Sequence, residues 1–490
     1  MHEEPPGAPH SESAQDRGLR GVGSSAAAAI GLTAEQSAAI HVPLSMPAWR
    51  SRLRVGELAM NSVALASLAM NVVRAARSGD RAPAPVRVSA ARVAASFGSE
   101  RVFRIDGATP TVWSPLSGFW RTADGWVRTH GNYPHHESRL RRLLGLSDSI
   151  DSSRVTERAA ARIATWRNLD LEHAAYESGA LAVAVRTADA WRQHPVALEH
   201  AAQPLLTQWL GDPHTPRPWP SIDGAPLAGI RVLDLTRVIA GPVGTRDLAL
   251  AGADVLRVDS PRLPEIPWQH LDTGQGKRST LLDLDVARDR RCFDDLLERA
   301  DVLVLGYRPD ALARLGLEPA ALASRYPALI TAELSAWGTA GPWQDRRGFD
   351  SLVQAASGIA LAESTTGDAP GALPVQALDH SAGHLLAASV ATALARQRAT
   401  GRSTHVRIAL ARLAQELLAG GEPSAHDGES PRGAGDGGPD PAETTVTQTV
   451  HAPDGPHRVT TAAPVLAFDA APTPYLRPTH TWGADPPRWT

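Results

Sequence analysis

From residue 226 onward, short runs of aliphatic and β-branched residues alternate with longer amphipathic stretches. Residues 230–235 and 254–258 predict buried strands, and residues 243–251 between them predict a helix that ends at Gly252. A strand, a helix and a second strand in this order form a βαβ unit. Such a unit implies parallel strands and a right-handed crossover.

The same alternation continues to residue 415. Further strands are predicted at 278–284, 301–305, 329–334 and 405–409, with helices at 286–300, 309–315, 319–326 and 381–398. Upstream, residues 113–132 predict a hairpin around Asp124-Gly125, and residues 136–210 are mostly amphipathic helix. The pattern therefore predicts an α/β fold, with a Rossmann-like parallel-sheet large domain preceded by a smaller α+β domain.

Changes in composition suggest the domain boundaries. The main boundary is placed in the proline-rich stretch 211–224. The predicted segments are a disordered leader (1–30), a helical segment (31–112), a small α+β domain (113–210), a linker (211–224), a large α/β domain (225–415), a flexible loop (416–442) and a C-terminal tail that packs back (443–490).

Bulk composition excludes several classes of protein. Hydrophobic residues make up 43% of the 490 residues, charged residues make up 21%, and the net charge is −3, which gives no electrostatic case for nucleic acid or an anionic membrane. Cys292 is the single cysteine, so no intramolecular disulfide forms, and a reducing, cytoplasmic location is expected. No apolar run approaches 18 residues, so no membrane span is predicted.

Candidate chemistry is expected at the carboxyl ends of the strands, where α/β sheets bind ligands. Asp259 ends the second strand, as in dinucleotide-binding proteins, but the turn Ala240-Gly-Pro lacks the glycine fingerprint, so a structural βαβ unit is favoured over an NAD site. Asp379 precedes a helix, where it is either an N-cap or a carboxylate kept ionised by the helix dipole. No metal site is predicted.

Residues 226–415 resemble the large domain of the family III coenzyme A transferases, which include formyl-CoA and carnitine-CoA transferases and the α-methylacyl-CoA racemases. Each segment that carries the resemblance is weak alone, but their common order is highly specific. The segments are Pro226-Leu-Ala-Gly-Ile-Arg-Val-Leu-Asp-Leu-Thr-Arg237, Ala240-Gly-Pro, Ala251-Gly-Ala-Asp-Val-Leu-Arg-Val-Asp259, Gly276-Lys-Arg-Ser279, Asp301-Val-Leu-Val, Arg308-Pro, Arg314-Leu-Gly-Leu, Trp337-Gly-Thr-Ala-Gly-Pro342, Gly348-Phe-Asp350 and Thr400-Gly-Arg402.

The resemblance implies a CoA-transferase that moves coenzyme A between an acyl-CoA and a small carboxylic acid. Asp379 falls at the nucleophile of the transferases and would form aspartyl covalent intermediates. No permanently bound cofactor is expected, since CoA is a substrate. The positions that fall where the family contacts CoA are Ile239, Ala240, Tyr307, Arg308, Arg314, Arg347 and Phe349.

Two departures leave alternatives open. The racemases place a proton-transferring histidine where this chain has Phe349, which favours transfer over racemisation. Residues 113–210 resemble the family's small domain but precede the large one, and aligning Gly79 with Gly401 places Glu57 on Asp379. A fusion of two copies would leave residues 31–112 as the remnant of a large domain. A racemase-like enzyme and a non-catalytic CoA-ester-binding protein therefore remain alternatives. The resemblance also implies a possible homodimer.

Overall fold

The structure is a computed structural model that describes residues 18–43, 45–147, 149–215, 217–219, 224–422, 440–452 and 454–490. Residues 1–17 of the predicted leader and residues 423–439 of the predicted loop lie outside the described residues. The prediction of a disordered leader is wrong for Val22–Ala29, which form a helix. Ala26 and Ile30 of this segment are fully buried, so apolar packing stabilises it.

The strands and helices are numbered in chain order. The strands are β1 (Ile40–His41), β2 (Val86–Arg87), β3 (Arg104–Ile105), β4 (Gly118–Arg121), β5 (Trp126–Thr129), β6 (Ala182–Ala184), β7 (Leu206–Pro213), β8 (Arg231–Leu235), β9 (Asp254–Asp259), β10 (Arg278–Leu281), β11 (Val302–Leu305), β12 (Ile330–Ser335), β13 (Arg402–Ala409), β14 (Thr445–Ala452) and β15 (Gly455–Ala462). The helices are α1 (Val22–Ala29), α2 (Ala34–Ser37), α3 (Val55–Ser78), α4 (Ala90–Phe97), α5 (Ser99–Val102), α6 (Pro134–Leu143), α7 (Ser152–Ile163), α8 (Asn168–Ser178), α9 (Ala188–Arg192), α10 (Pro195–Ala201), α11 (Ala240–Leu250), α12 (Pro267–Thr273), α13 (Ala287–Glu298), α14 (Pro309–Arg314), α15 (Pro319–Arg325), α16 (Asp350–Ser357), α17 (Ile359–Ala362), α18 (Ala377–Thr400), α19 (Leu410–Ala419) and α20 (Pro441–Thr444).

A seven-stranded sheet forms the centre of the large domain. Its order is β10-β9-β8-β11-β12-β13-β7, and all neighbours are parallel except β13 and β7. The six parallel strands have the order of a doubly wound dinucleotide-binding sheet, in which the direction of winding reverses between β8 and β11. The predicted Rossmann-like α/β class is therefore confirmed, and ligands are expected at the carboxyl ends of these two strands.

The predicted boundary between the small domain and the linker is wrong. Leu206–Pro213 form β7, which pairs antiparallel with β13 and covers the edge of the large sheet. Helices α9 and α10 also pack on the large-domain helices α16, α17 and α19. The chain thus re-enters the large domain well before residue 211, because the edge of β13 needs a hydrogen-bonding partner.

The smaller unit consists of the three-stranded antiparallel sheet β4-β5-β6 and helices α6, α7 and α8. Its own apolar core includes Leu116, Val127, Leu140, Val155 and Leu171. The hairpin β4–β5 pairs Phe119 with Arg128. Because residues 128 and 130 alternate with buried Val127 and Thr129, their side chains lie on the sheet face opposite that core.

The C-terminal residues pack along the other edge of the large sheet. The hairpin β14–β15 joins β3, and the chain then follows β9 and β10. The Gly276 N–H donates to Arg477 O at 2.9 Å, and the Asp485 N–H donates to Ser279 O at 2.8 Å. Thr490 N–H donates to Asp254 Oδ2 at 3.0 Å. Residues 476–490 therefore act as a strap over the β10 edge.

The two 24-residue helices α3 and α18 pack against each other over most of their lengths. Each ends at a left-handed glycine, Gly79 and Gly401. By length and composition α3 could span a membrane, although the sequence predicted no membrane span. Most of its residues are buried within the protein, however, which is typical of a core helix.

Candidate functional site

Asp379 lies in the first turn of α18 and is 7% exposed. Its backbone N–H donates to Asp350 Oδ2 at 3.0 Å, so the buried Asp350 carboxylate caps the amino end of α18. Gln354 Nε2 donates to the other Asp350 oxygen at 2.5 Å. Among the described residues, none hydrogen-bonds the Asp379 carboxyl group itself. Asp379 therefore presents an unpartnered carboxyl group, and Asp350 holds the backbone beneath it.

Gln376, and not Asp379, is the N-cap of α18, so the N-cap interpretation of Asp379 is wrong. The helix dipole favours an ionised Asp379, but the surroundings of the carboxyl group oppose its ionisation. Burial raises the pKa of Asp379 well above its usual value, and the neighbouring Asp350 carboxylate raises it further. Burial also raises the pKa of Asp350 to about 6. Because both groups are buried and lie close together, ionisation of one disfavours ionisation of the other.

A cavity of about 610 Å³ opens at the carboxyl ends of β8 and β11, where the winding of the sheet reverses. Asp379 lies on its wall. Six of the other predicted CoA-contacting residues also line it: Ala240, Tyr307, Arg308, Arg314, Arg347 and Phe349. Ile239, the N-cap of α11, instead lines a neighbouring cavity that also reaches Asp379.

Guanidinium groups converge on one side of the larger cavity. Burial, and then the charges of Arg308 and Arg139, lower the pKa of Arg347 to about 10. No carboxylate among the described residues forms an ion pair with Arg347, whereas Arg308 is held by Asp310 Oδ2 at 3.0 Å and Asp345 O at 2.7 Å. A half-buried cation that faces two others is stabilised by an anion, and guanidinium matches phosphate geometry.

Arg314 and Tyr307 occupy different parts of this cavity wall. Arg314 ends α14 and pairs with Asp285 at 2.5 Å near the solvent. Burial raises the pKa of Tyr307, so its hydroxyl stays protonated. The structure thus brings all of the predicted residues except Ile239 together around this cavity, with Arg314 at its rim.

A buried ionic network forms the floor beside β9. Arg257 pairs with Asp259 at 2.8 Å and with Glu265 at 2.5 Å, and the Trp482 indole N–H donates to Asp259 Oδ2 at 2.8 Å. Tyr133 of the small unit donates its hydroxyl proton to Glu265. Arg257 Nη2 also donates to Asp259 Oδ1 at 3.2 Å, so both oxygens of this acid are engaged within the protein.

Lys277 is buried beside the same sheet. Its Nζ donates to Asp234 Oδ2 at 3.1 Å and to Pro242 O at 2.8 Å, and the side chain is almost fully buried. Burial lowers the pKa of Lys277 to about 8, while the attraction of Asp234 opposes that shift. The ammonium group thereby connects β8 to the first turn of α11, the turn that carries Ile239 and Ala240.

The second cavity, of about 250 Å³, lies on the other side of Asp379 and is lined by both units. The small unit contributes Arg128, His130 and Trp113. The His130 ring stacks on Phe349 with centroids 3.8 Å apart and planes 8° apart. Burial lowers the pKa of His130 to about 3, so the imidazole is neutral.

Several residues of this site were not predicted from the sequence. Asp350 was present in the Gly348-Phe-Asp350 segment, but only as a marker of resemblance. Arg128 and His130 carried a usable signal, since they alternate along β5 with buried residues and so share one face of the hairpin. What the sequence did not reveal is that this face meets the large domain at Phe349.

Comparison with known proteins places the large domain in a family. A profile of CoA-transferase family III matches residues 227–471, half of the chain. The probable fatty acyl-CoA transferase of Mycobacterium tuberculosis is 34% identical over 207 residues, which cover 40% of this chain and 52% of that protein. The acetyl-CoA:oxalate CoA-transferase of Acetobacter aceti is 32% identical over 203 residues, 39% of this chain and 52% of that protein.

The crystal structure of the Mycobacterium tuberculosis protein aligns with a TM-score of 0.38 at 34% identity, over 40% of this chain and 57% of that one. The chain spans about half the length of the curated relatives it matches. The predicted resemblance is confirmed by the profile match, which covers the six parallel strands of the large sheet, α18 and the first part of the C-terminal region. The chain belongs to CoA-transferase family III.

Proposed function

We propose that this protein transfers coenzyme A between an acyl-CoA and a carboxylic acid through covalent intermediates on Asp379. The observation that carries the proposal is the position of the Asp379 carboxyl group. It has no hydrogen-bonding partner among the described residues, and it lies on the shared wall of two cavities. Access from two sides lets the CoA ester and the acid approach this nucleophile separately.

The larger cavity is the proposed CoA site. Arg308, Arg347 and Arg139 supply positive charge for the phosphates, and the turn at Ala240 provides a close approach to the backbone. A thioester that enters from this side presents its carbonyl carbon to Asp379. Each exchange leaves either an acyl group or CoA attached to Asp379, so one difficult transfer becomes several easier steps.

The proposed reaction is a sequence of acyl exchanges. The Asp379 carboxylate attacks the thioester carbonyl and displaces the CoA thiolate, which gives an aspartyl–acyl anhydride. The thiolate attacks the aspartyl carbonyl and releases the donor acid, which gives an aspartyl–CoA thioester. The acceptor carboxylate then attacks that thioester and displaces the thiolate again. The thiolate finally attacks the acceptor carbonyl of the new anhydride and restores the Asp379 carboxylate.

The similar proteins support transfer between carboxylic acids in general. They include proteins named for oxalate, for succinate and glutarate, and for malate as acids. In this chain Phe349 stacks on a neutral histidine and has no acidic or basic group. The wall at that position therefore supplies packing for a bound acyl group and no proton transfer, which supports transfer over racemisation.

Incubation with a panel of acyl-CoA thioesters, followed by peptide mass spectrometry, tests the proposal. We expect an acyl or CoA adduct on the peptide that contains Asp379, removed by hydroxylamine because anhydrides and thioesters are both reactive towards it. The control is the same incubation with free CoA and no acyl group, which should leave the peptide unmodified. Measurable CoA binding without an adduct from any thioester would instead indicate a non-catalytic CoA-ester-binding protein.

Activity should fall as the pH drops through the range in which Asp379 and Asp350 take up protons. Only the carboxylate form of Asp379 is nucleophilic, and the raised pKa values place this loss at higher pH than for an exposed aspartate. Asp350→Asn removes the like charge and keeps an oxygen that can accept the N–H of α18. We expect it to shift the acid limb of kcat/KM downward by roughly one pH unit.

The matched control for this pH measurement is Asp368→Asn, the same change on an exposed loop between α17 and α18. Its pH profile should overlay that of the unsubstituted protein. An acid limb in Asp350→Asn that coincides with the control would show that Asp350 does not set the ionisation of the nucleophile.

A further inference from the structure

Residues 40–98 repeat the architecture of residues 330–420, and the two segments form a first copy and a second copy. In each copy, the chain between two parallel strands includes a 24-residue helix, α3 in the first copy and α18 in the second. When Gly79 is aligned with Gly401, these helices begin and end at matching residues. Strand β2 then falls on the last two residues of β13, and the end of α4 falls on the end of α19. The first copy therefore has counterparts of α18 and α19 but only short ends of the strands.

Backbone and side-chain hydrogen bonds recur at the matching positions of the two copies. In both, the N–H of the first residue of the long helix donates to the carbonyl two residues earlier, at 2.8 Å. Buried Ser67 and Ser389 each donate to the carbonyl four residues earlier, at 2.7 and 2.8 Å. The N–H groups of Gly98 and Gly420 close α4 and α19 at 3.1 and 3.0 Å. Similar composition alone does not reproduce these bonds in register across two helices, so the matches indicate a duplicated segment.

The two copies contact each other reciprocally. Helix α3 packs along α18. The end of α19 reaches the start of α3, where Arg54 Nε donates to Gly420 O at 3.0 Å. The end of α4 and the adjoining α5 reach the start of α18, where Arg101 donates to Pro374 O. At a two-fold interface between identical subunits, each contact between two different positions occurs twice in this way.

The first copy also reaches the surroundings of Asp379. The Phe97 ring, at the end of α4, stacks on the ring of His380 with centroids 4.9 Å apart and planes 26° apart. Glu100 and Arg101 of the adjoining α5 line the smaller cavity, on whose wall Asp379 lies. The segment that packs on α18 thus contributes to the wall beside the proposed nucleophile.

Glu57, the counterpart of Asp379, has different surroundings. Its carboxylate pairs with Arg54 at 3.3 Å, whereas the matching position of the second copy is Gln376. Strands β1 and β2 have two residues each, and within the described residues the first copy contains no other strand that could form a ligand-binding sheet edge. Glu57 is therefore an ion-paired residue at the start of α3, and Asp379 is the carboxyl group that faces the two cavities.

We propose that the first copy takes the place of a partner subunit within this chain: it covers α18, completes the wall beside Asp379 and leaves one reactive site per chain. The proposal rests on the proposed CoA transfer, because it assigns the number of nucleophiles and the origin of their surroundings. A separate subunit would make the same contacts only by association, whereas a tethered copy makes them at a high effective concentration. The protein therefore acts as a monomer.

Light scattering coupled to size-exclusion chromatography, together with calorimetric titration with CoA, tests the internal partner without turnover. We expect the molar mass of one 490-residue chain at every protein concentration, and one bound CoA per chain. A dimer that persists on dilution would overturn the proposal, because the internal partner already covers α18. Two bound CoA molecules per chain would also overturn it, since the first copy would then have a site of its own.

A substitution of Phe97 tests whether the first copy completes the site. Phe97→Leu should lower kcat at saturating acyl-CoA by about tenfold, because a small shift of His380 and the adjacent nucleophile misaligns the reacting atoms. Phe293→Leu is the matched control, since Phe293 is equally buried but lies in a separate apolar cluster. Both variants should lose a similar amount in melting temperature. Equal kcat values in the two variants would overturn the proposal.

Glu57→Gln should leave the number of aspartyl adducts per chain unchanged, and a loss of adduct in this variant would contradict a single reactive site at Asp379. The proposed function can fail separately from this inference. An absent adduct in the unsubstituted protein would reject CoA transfer, whereas the molar mass and the CoA count need no turnover. A monomer that binds one CoA and forms no adduct would retain the internal partner on a non-catalytic protein.

Discussion

Replacement of Asp379 by asparagine should reduce CoA transfer by roughly 10³-fold or more while leaving CoA affinity within about twofold of its original value. Asparagine matches aspartate in shape but cannot form an anhydride or a thioester under these conditions. The Asp350 oxygen would still accept the backbone N–H at position 379, so the start of α18 is preserved. Steady-state rates and CoA titration together measure the two effects.

Asp379→Glu provides a second comparison for this prediction. Its carboxylate is one methylene longer in a buried position, so we expect a large loss of rate together with a detectable adduct. Turnover of Asp379→Asn close to that of the unsubstituted protein would mean that another group carries the covalent chemistry. A loss of CoA affinity in Asp379→Asn would instead indicate that the substitution alters the cavity itself.

Replacement of Lys277 by methionine should lower the free energy of unfolding by about 3–5 kcal/mol, because it leaves the Asp234 carboxylate buried without its ammonium partner. Lys277 is the single lysine of the chain and has side-chain bonds to both Asp234 and Pro242. Burial opposes ionisation of Asp234, but Lys277 and then Arg257 hold its pKa below the usual value. Urea unfolding monitored by circular dichroism measures the change.

A double variant separates the effect of the lost Lys277 bonds from the effect of the unpaired Asp234 charge. Lys277→Met combined with Asp234→Asn should be more stable than Lys277→Met alone, since the uncompensated charge has been removed. Arg288→Met, on the exposed face of α13, is the surface control and should change stability by less than about 0.5 kcal/mol. A change in the free energy of unfolding in Lys277→Met that is no larger than in this surface control would mean that the ion pair contributes little to stability.

The local pattern of apolar and polar residues was enough to predict the centre of the fold. Residues 230–258 alternate between apolar runs and a glycine-terminated helix, and the structure has β8, α11 and β9 there. Strand β7 was missed because it precedes a proline-rich stretch and is stabilised by pairing with β13, almost 200 residues later in the chain. Pairing between distant segments depends on tertiary context that a single sequence does not carry.

The candidate site was predicted in part. The family resemblance pointed to Asp379, and the structure places it with the seven predicted CoA-contacting residues around two joined cavities. The ionisation of Asp379 was misjudged, since the helix dipole was visible in the sequence whereas burial and the nearby Asp350 were not. Arg128 and His130 belong to another unit, and their approach to Phe349 depends on how the two units pack.

The two covered edges of the large sheet have a consequence for the order of folding. Strand β7 closes one edge and the strap of residues 476–490 closes the other, and both pair with partners about 200 residues away in sequence. Contacts of such separation form slowly, because a long loop must close first. Until they form, β13 and β10 expose unpaired backbone groups, so refolding at high concentration should lose material to intermolecular strand pairing.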